Sequence, residues 1–311
     1  MEYHTTRDRI IAKNHLSQKG CDVDSPPRIR AYIAISTGSV KFREASVKLD
    51  SMKPYECMEY LKWTEQAVVN VLDIMSEFGV RLGFLMSNYL PVVPSVAVHA
   101  KYLASNRVID AEFKKDLITW VVHASFNGRY TGRLESDLSE DISTLTQSSY
   151  EMKALMRNLR TQTISEEDLT GEYDERHLTL LSILYAYNRA RVWDTGSRDP
   201  ALVSNIPNDD LTVHHIIPDA ILKKKGYDDE LRDDVANITL ISKNANAAVK
   251  DKDPPDIFRR TARCGPPLLE LHFIPRKESL WNPEKYMEFL SQRRQRILEE
   301  CRKLFGAASS H

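Results

Sequence analysis

Several large protein classes are excluded by what this chain lacks. Its four cysteines, Cys21, Cys57, Cys264 and Cys301, are scattered over 311 residues. None forms a CxxC pair, which argues against a zinc knuckle, and isolated thiols of this kind fit a reduced, intracellular (cytoplasmic) protein. No apolar stretch approaches the ~18 residues of a membrane span. The opening MEYHTTRDRIIAK has no apolar core of the kind a signal peptide requires. Excess positive charge is missing too: 43 Lys and Arg stand against 44 Asp and Glu, a formal net charge of -1. Nothing therefore draws the whole molecule toward a polyanion, and any grip on nucleic acid must be local. There is no glycine-rich phosphate loop, so nucleotide hydrolysis by this chain is not expected. Internal repeats and low-complexity tracts are absent as well.

What is present reads as a helical region followed by a smaller mixed one. Residues 1–53 are mixed in charge and do not resemble a complete domain; Arg30–Ser36 has the composition of a short strand. From 54 to 193 the chain reads as a helical domain. In LKWTEQAVVNVLDIMSEFG the apolar residues Leu61, Val68, Val71, Leu72 and Met75 recur at near-helical period, and Gly79 is a natural stop. Further helices are expected from Ser95, over 109–126 up to Asn127-Gly128, in LESDLSEDISTL, in SSYEMKALMRNLR, and over 176–193 as a core helix. Residues 135–175 carry 11 acidic and 3 basic side chains, which reads as a solvated face pointing away from any polyanion. The polar stretch 194–210 is expected to be the linker. Beyond it, 211–305 forms the second domain, with ELHFIP as a strand and 282–305 as a terminal helix whose first turn suits Pro283.

The most informative segment is LTVHHIIPDAIL at 211–222 together with VANITLISKNANAAVKDKDPP at 235–255. A β-prone run ends in His214-His215 and a proline. A second run opens at Asn237, and Asn246 follows nine residues later in an Ala-rich stretch that favours helix. Hydrolysis of a phosphodiester needs a base for water, an electrophile for the phosphate and help for the departing oxygen. One hard divalent ion can serve the last two roles, and an imidazole suits the first. On a regular strand adjacent histidines point to opposite faces, so a bend is expected near Pro218 if both are to serve one centre. An amide oxygen at Asn246 is a reasonable ligand for Mg²⁺ or Mn²⁺. Asn237, at the strand start, is suited to pin the loop through side-chain hydrogen bonds and so to orient the base.

These residues resemble the HNH, or ββα-metal, nuclease motif. VHHIIP stands for its first strand, ANITLIS for its second and NANAAVKDKDP for its helix. Among HNH families the chain is most similar to the C-terminal nuclease half of GmrSD-type, modification-dependent restriction proteins, strongly over 211–255 and loosely over about 60–300. The resemblance implies a mainly α chain with a small α+β module: a helical domain, then a ββα-metal nuclease domain and a C-terminal helix. It implies His215 as general base, His214 and Asn246 as metal ligands, Asn237 as the structural asparagine and Lys252 as the lysine near the helix end. It also implies one divalent ion as cofactor. His214 stands where an acidic residue is common, which opens the site to Ni²⁺ or Zn²⁺ besides Mg²⁺ or Mn²⁺. DNA is the implied partner, phage restriction the implied role, and no membrane is involved. Those relatives carry a nucleotide-binding regulatory domain that residues 1–53 are too short to form, so a longer chain or a separate subunit is expected to supply it.

The expected phosphate contacts are Lys223, Lys224 and Lys225, Lys250, Arg259 and Arg260, and Arg293 and Arg294 with Arg296 on the terminal helix. Contacts of this kind give binding with little sequence preference and steep salt dependence. Two other readings stay open: a non-catalytic DNA-binding or interaction module, and an RNase or toxin.

Overall fold

A computed structural model describes residues 26–81, 91–193, 201–249, 252, 254–263 and 268–305. The protein is mainly helical, with one small two-stranded antiparallel sheet. Its chain divides into two compact units, one comprising residues 1–77 and 85–162, the other 78–84 and 163–311. The division falls at 162/163, ahead of the expected linker at 194–210, and the core helix expected at 176–193 belongs with the histidine-bearing unit.

The first unit contains α1 (Pro26–Thr37), α2 (Phe42–Ser51), α3 (Pro54–Glu77), α4 (Val92–Ala104), α5 (Ala111–Phe126) and α6 (Leu134–Gln147). Arg30–Ser36 lies inside α1 and is helical, not a strand. The α4 sequence has no charged residue before Lys101 and is buried from Val92 through Ala100, the expected fate of a helix that is apolar all round. It begins at Val92 instead of Ser95, with Pro94 tolerated in the first turn. Asp110 caps α5 by accepting from the Phe113 N–H at 2.8 Å. SSYEMKALMRNLR forms only a 3₁₀ turn over Met152–Asn158. The acidic stretch is not solvated throughout, because Asp141 is fully buried against Arg129.

The second unit contains α7 (Glu175–Tyr187), β1 (Leu211–His215), α8 (Asp219–Lys224), α9 (Asp229–Arg232), β2 (Ile238–Ser242), α10 (Lys243–Val249), α11 (Pro254–Arg263), α12 (Leu268–Leu271) and α13 (Tyr286–Phe305). Gly79 lies at φ +77°, and a Cβ there would come within 2.5 Å of the Ala186 Cβ, so only glycine fits against α7. The core gathers Trp193, Ile217, Ile241, Phe258, Trp281 and Phe289. ELHFIP is not a strand: its Glu270 and Leu271 end α12, and Phe273 makes the left-handed turn at φ +62° that follows. Pro254 and Pro255 open α11. No helix among the described residues is long and apolar enough to cross a membrane.

Candidate functional site

The histidine pair sits at the end of β1. In the antiparallel register His214 faces Thr239 and His215 faces Ile238. β2 is buried along its whole length and runs directly into α10, so strand, strand and helix are contiguous around the pair. Asn237 fixes the turn out of β1. Its Oδ1 accepts from the Ile217 N–H at 2.9 Å, and its Nδ2 donates to the carbonyls of Ile217 at 3.1 Å and Arg232 at 3.0 Å. Its own carbonyl accepts from Ile216 N–H at 2.7 Å. The residue is fully buried, so each of these bonds replaces one that water can no longer supply.

The two imidazoles lie in different surroundings. His214 turns toward α10 and Trp193. Its Nδ1–H donates to Asn246 Oδ1 at 2.8 Å, and the Trp193 ring stands edge-on at 5.4 Å. An amide oxygen only accepts, so the ring hydrogen is on Nδ1 and Nε2 carries the lone pair. That Nε2 is buried and has no hydrogen-bond partner among the described residues. Burial lowers the His214 pKa to about 4; the Asn246 hydrogen bond opposes the shift, and repulsion from His215 adds to it. The ring is therefore neutral at pH 7. His215 turns the other way, toward the loop between the strands, where its Nε2 lies 2.7 Å from Asp233 Oδ1. Both side chains remain about one-third exposed, 29% and 35%.

Behind the pair is a buried polar chain. His272 is fully buried. Its Nδ1 is 2.7 Å from Thr239 Oγ1, and its Nε2–H points at the Arg191 carbonyl at 2.7 Å. Thr239 meets the Tyr185 hydroxyl at 2.9 Å, and Arg293 donates to that hydroxyl at 3.2 Å. Burial lowers the His272 pKa to about 3.

The expected ligands His214 and Asn246 are thus in direct contact, but with each other: Asn246 holds the His214 ring. His215 and Asn237 share the same strand exit. Lys252 is exposed, and its amino group donates to the Ala248 carbonyl, one turn back along the chain. Lys250 lies outside the described residues, as does the Arg260 side chain.

Of the expected phosphate contacts, Lys223 and Lys224 are exposed in the last turn of α8. Lys225 is ion-paired with Glu284. Arg259, about half exposed, pairs at the surface with Glu278 at 3.3 Å and Asp256 at 3.6 Å. Arg293 and Arg294 do not face solvent. Arg293 is 0% exposed and donates to the carbonyls of His272 and Val235; Arg294, 9% exposed, donates to the Leu169 carbonyl and to Asp234. The i, i+3 spacing that put Arg293 and Arg296 on one face is real, but that face is turned inward: Arg296 also donates, to the Ile274 carbonyl at 3.0 Å. Sequence reasoning did not single out Asp233, Trp193, Thr239 or His272. Asp233 sits in a run of acids that looks solvated, and the other three come together only through long-range packing.

Among the described residues no group of three or more His, Cys, Asp or Glu side chains forms a metal cage. The candidate donor set is one imidazole and one amide. It fits an ion at His214, whose shielded lone pair is unclaimed while a carbonyl oxygen fixes the other ring nitrogen, the arrangement that metal-binding histidines generally show. A scan against models of known protein families finds no match, and a search of curated proteins finds none.

Proposed function

We propose that this chain is a metal-dependent endonuclease of the HNH type that hydrolyses phosphodiester bonds in DNA. The observation that carries this reading is the division of environments between two adjacent histidines. His214 is shielded, neutral and holds a free lone pair; His215 stands at the solvent edge with Asp233 on one ring nitrogen. Two chemically identical groups placed in such different surroundings are suited to two different tasks.

His214, through Nε2, is the residue that would hold a divalent ion, with Asn246 fixing its ring from the Nδ1 side and water and phosphate oxygens completing the shell. When bound, that ion supplies Lewis-acid stabilisation of the phosphate and of the departing 3′ oxygen. His215 accepts a proton from water as the water oxygen attacks phosphorus; the P–O3′ bond breaks, and the 3′ oxygen is protonated from solvent. Asn237 keeps His215 at the strand exit by clamping Ile217. Lys223 and Lys224, the expected phosphate contacts that are exposed and in no ion pair among the described residues, would meet a backbone phosphate. The assignment to DNA and to phage restriction, and the need for a nucleotide-binding regulatory partner, rest on the motif resemblance alone.

A second reading, an interaction module without catalysis, gains support from the burial of Arg293 and Arg294, which removes two of the expected phosphate contacts. The two separate in one experiment. Supercoiled plasmid, unmodified and base-modified, is incubated with wild type and His215→Ala in Mg²⁺, Mn²⁺, Ni²⁺, Zn²⁺ or EDTA. Relaxation that needs metal and falls about 10²–10⁴-fold in the variant is the expected result. Equal cleavage by the variant contradicts the site, and the absence of any cleavage favours the module.

A further inference from the structure

The contact between His215 and Asp233 is more constrained than a surface ion pair. At neutral pH a carboxylate offers only acceptors, so the hydrogen in the 2.7 Å contact lies on His215 Nε2. In the neutral ring Nδ1 is then the lone pair, and it makes no hydrogen bond among the described residues. The Asp233 carboxylate has no other hydrogen-bond or ion-pair partner among them, because its neighbour Arg232 turns away to Asp219 and Asp229.

The loop that carries the carboxylate is pinned on both sides. Asp233 N–H donates to the Asp229 carbonyl at 2.9 Å, and the Asp233 carbonyl accepts from Tyr173 N–H at 3.0 Å. The preceding carbonyl, of Arg232, is held by Asn237 at 3.0 Å. The following residue, Asp234, takes donors from Arg294 at 2.8 Å, Gly171 N–H at 3.1 Å and Ala236 N–H at 2.7 Å. Asn237 therefore clamps both the exit of the strand that bears His215 and the loop that bears its carboxylate.

We propose that Asp233 is a positioning residue that locks the His215 imidazole in its Nε2-protonated tautomer and so presents Nδ1 as the proton-accepting atom. The use made of Nδ1 rests on the nuclease reading above; the tautomer does not. An amide at 233 can offer either its oxygen or its NH₂ to Nε2, and so no longer enforces one tautomer.

The test combines two readouts on the full chain. Ring-nitrogen NMR of ¹⁵N-histidine-labelled protein, with the His215 signals assigned by their loss in His215→Ala, reports the tautomer. Plasmid relaxation in Mn²⁺ reports the rate. Wild type is expected to show His215 protonated at Nε2. Asp233→Asn is expected to lose that signature and to cleave about 100-fold more slowly. Asp233→Glu, which keeps a carboxylate on a longer arm, is expected to recover the signature and to cleave within about tenfold of wild type.

A wild-type ring protonated at Nδ1 overturns the proposal. So does an Asp233→Asn variant that keeps both tautomer and rate, or an Asp233→Glu variant as impaired as Asp233→Asn. If wild type cleaves nothing with any metal, the nuclease reading fails, while the NMR spectra still decide whether Asp233 sets the tautomer.

Discussion

Two titratable groups, Asp141 in the first unit and His214 in the second, are left in opposite states. In the first unit the Asp141 carboxylate is fully buried and saturated. Arg129 gives it two bonds at 3.1 and 2.7 Å, the Tyr130 hydroxyl one at 2.7 Å and Asn158 one at 2.8 Å. Burial pushes its pKa up against the pull of those donors. Every lone pair of that carboxylate is used within the protein, so nothing is left for a ligand. In the second unit the His214 ring uses one nitrogen and leaves the other buried and without a partner among the described residues. An unsatisfied buried polar atom costs free energy. The His99 Nδ1 of the first unit is likewise buried without a partner among the described residues, so what sets His214 apart is its place beside His215 at the end of β1.

The largest effect expected from this contrast is on stability. Asp141→Ala leaves the Arg129 guanidinium buried without its main partner and should cost about 3–5 kcal/mol in urea unfolding. His214→Ala, by comparison, removes one hydrogen bond and should cost about 1–2 kcal/mol. Equal losses at the two positions would erase the distinction between a closed structural network and an open site.

Acid should weaken both units. His99 in the first and His272 in the second are buried and held neutral, with pKa values lowered to about 4 and about 3. Folded-state values below the unfolded 6.5 mean that the unfolded chain takes up protons first. Their contribution is thus complete above about pH 6.5 and is lost as pH falls through the folded values, at about 1.4 kcal/mol per pH unit for each histidine. Urea midpoints measured between pH 7.5 and 5 should fall accordingly, and flat midpoints would contradict the buried neutral assignment. The smallest effect belongs to the surface. Arg259→Ala removes exposed pairs with Asp256 and Glu278 and should change stability by less than about 1 kcal/mol. It should also leave plasmid affinity near wild type, whereas the double variant Lys223→Ala/Lys224→Ala should flatten the salt dependence of binding.

Periodicity and cap signals made much of the fold legible. Asn127-Gly128 ends α5 as the sequence implies, and Asn237 stands at the head of β2 with the loop-pinning bonds its position suggests. Local signals failed where tertiary packing decides. ELHFIP has strand-forming residues, yet it ends one helix and turns back into the core. Spacing groups Arg293 with Arg296 but cannot say whether their side of α13 meets water; Tyr185, Val235 and the His272 carbonyl, all distant in sequence, fill that side and claim Arg293. Asp233 was hidden for the opposite reason. It is one acid among several in DDELRDD, and only the antiparallel pairing of β1 with β2 brings it to His215.

The most direct test of the central claim is a Mn²⁺ titration by calorimetry of wild type, His214→Ala and His215→Ala. Wild type and His215→Ala are expected to bind the ion with similar affinity, and His214→Ala to lose binding by at least about tenfold. The two neighbours would then divide into one that holds the ion and one that does not. Unchanged binding in His214→Ala, or no uptake by wild type, would contradict the account.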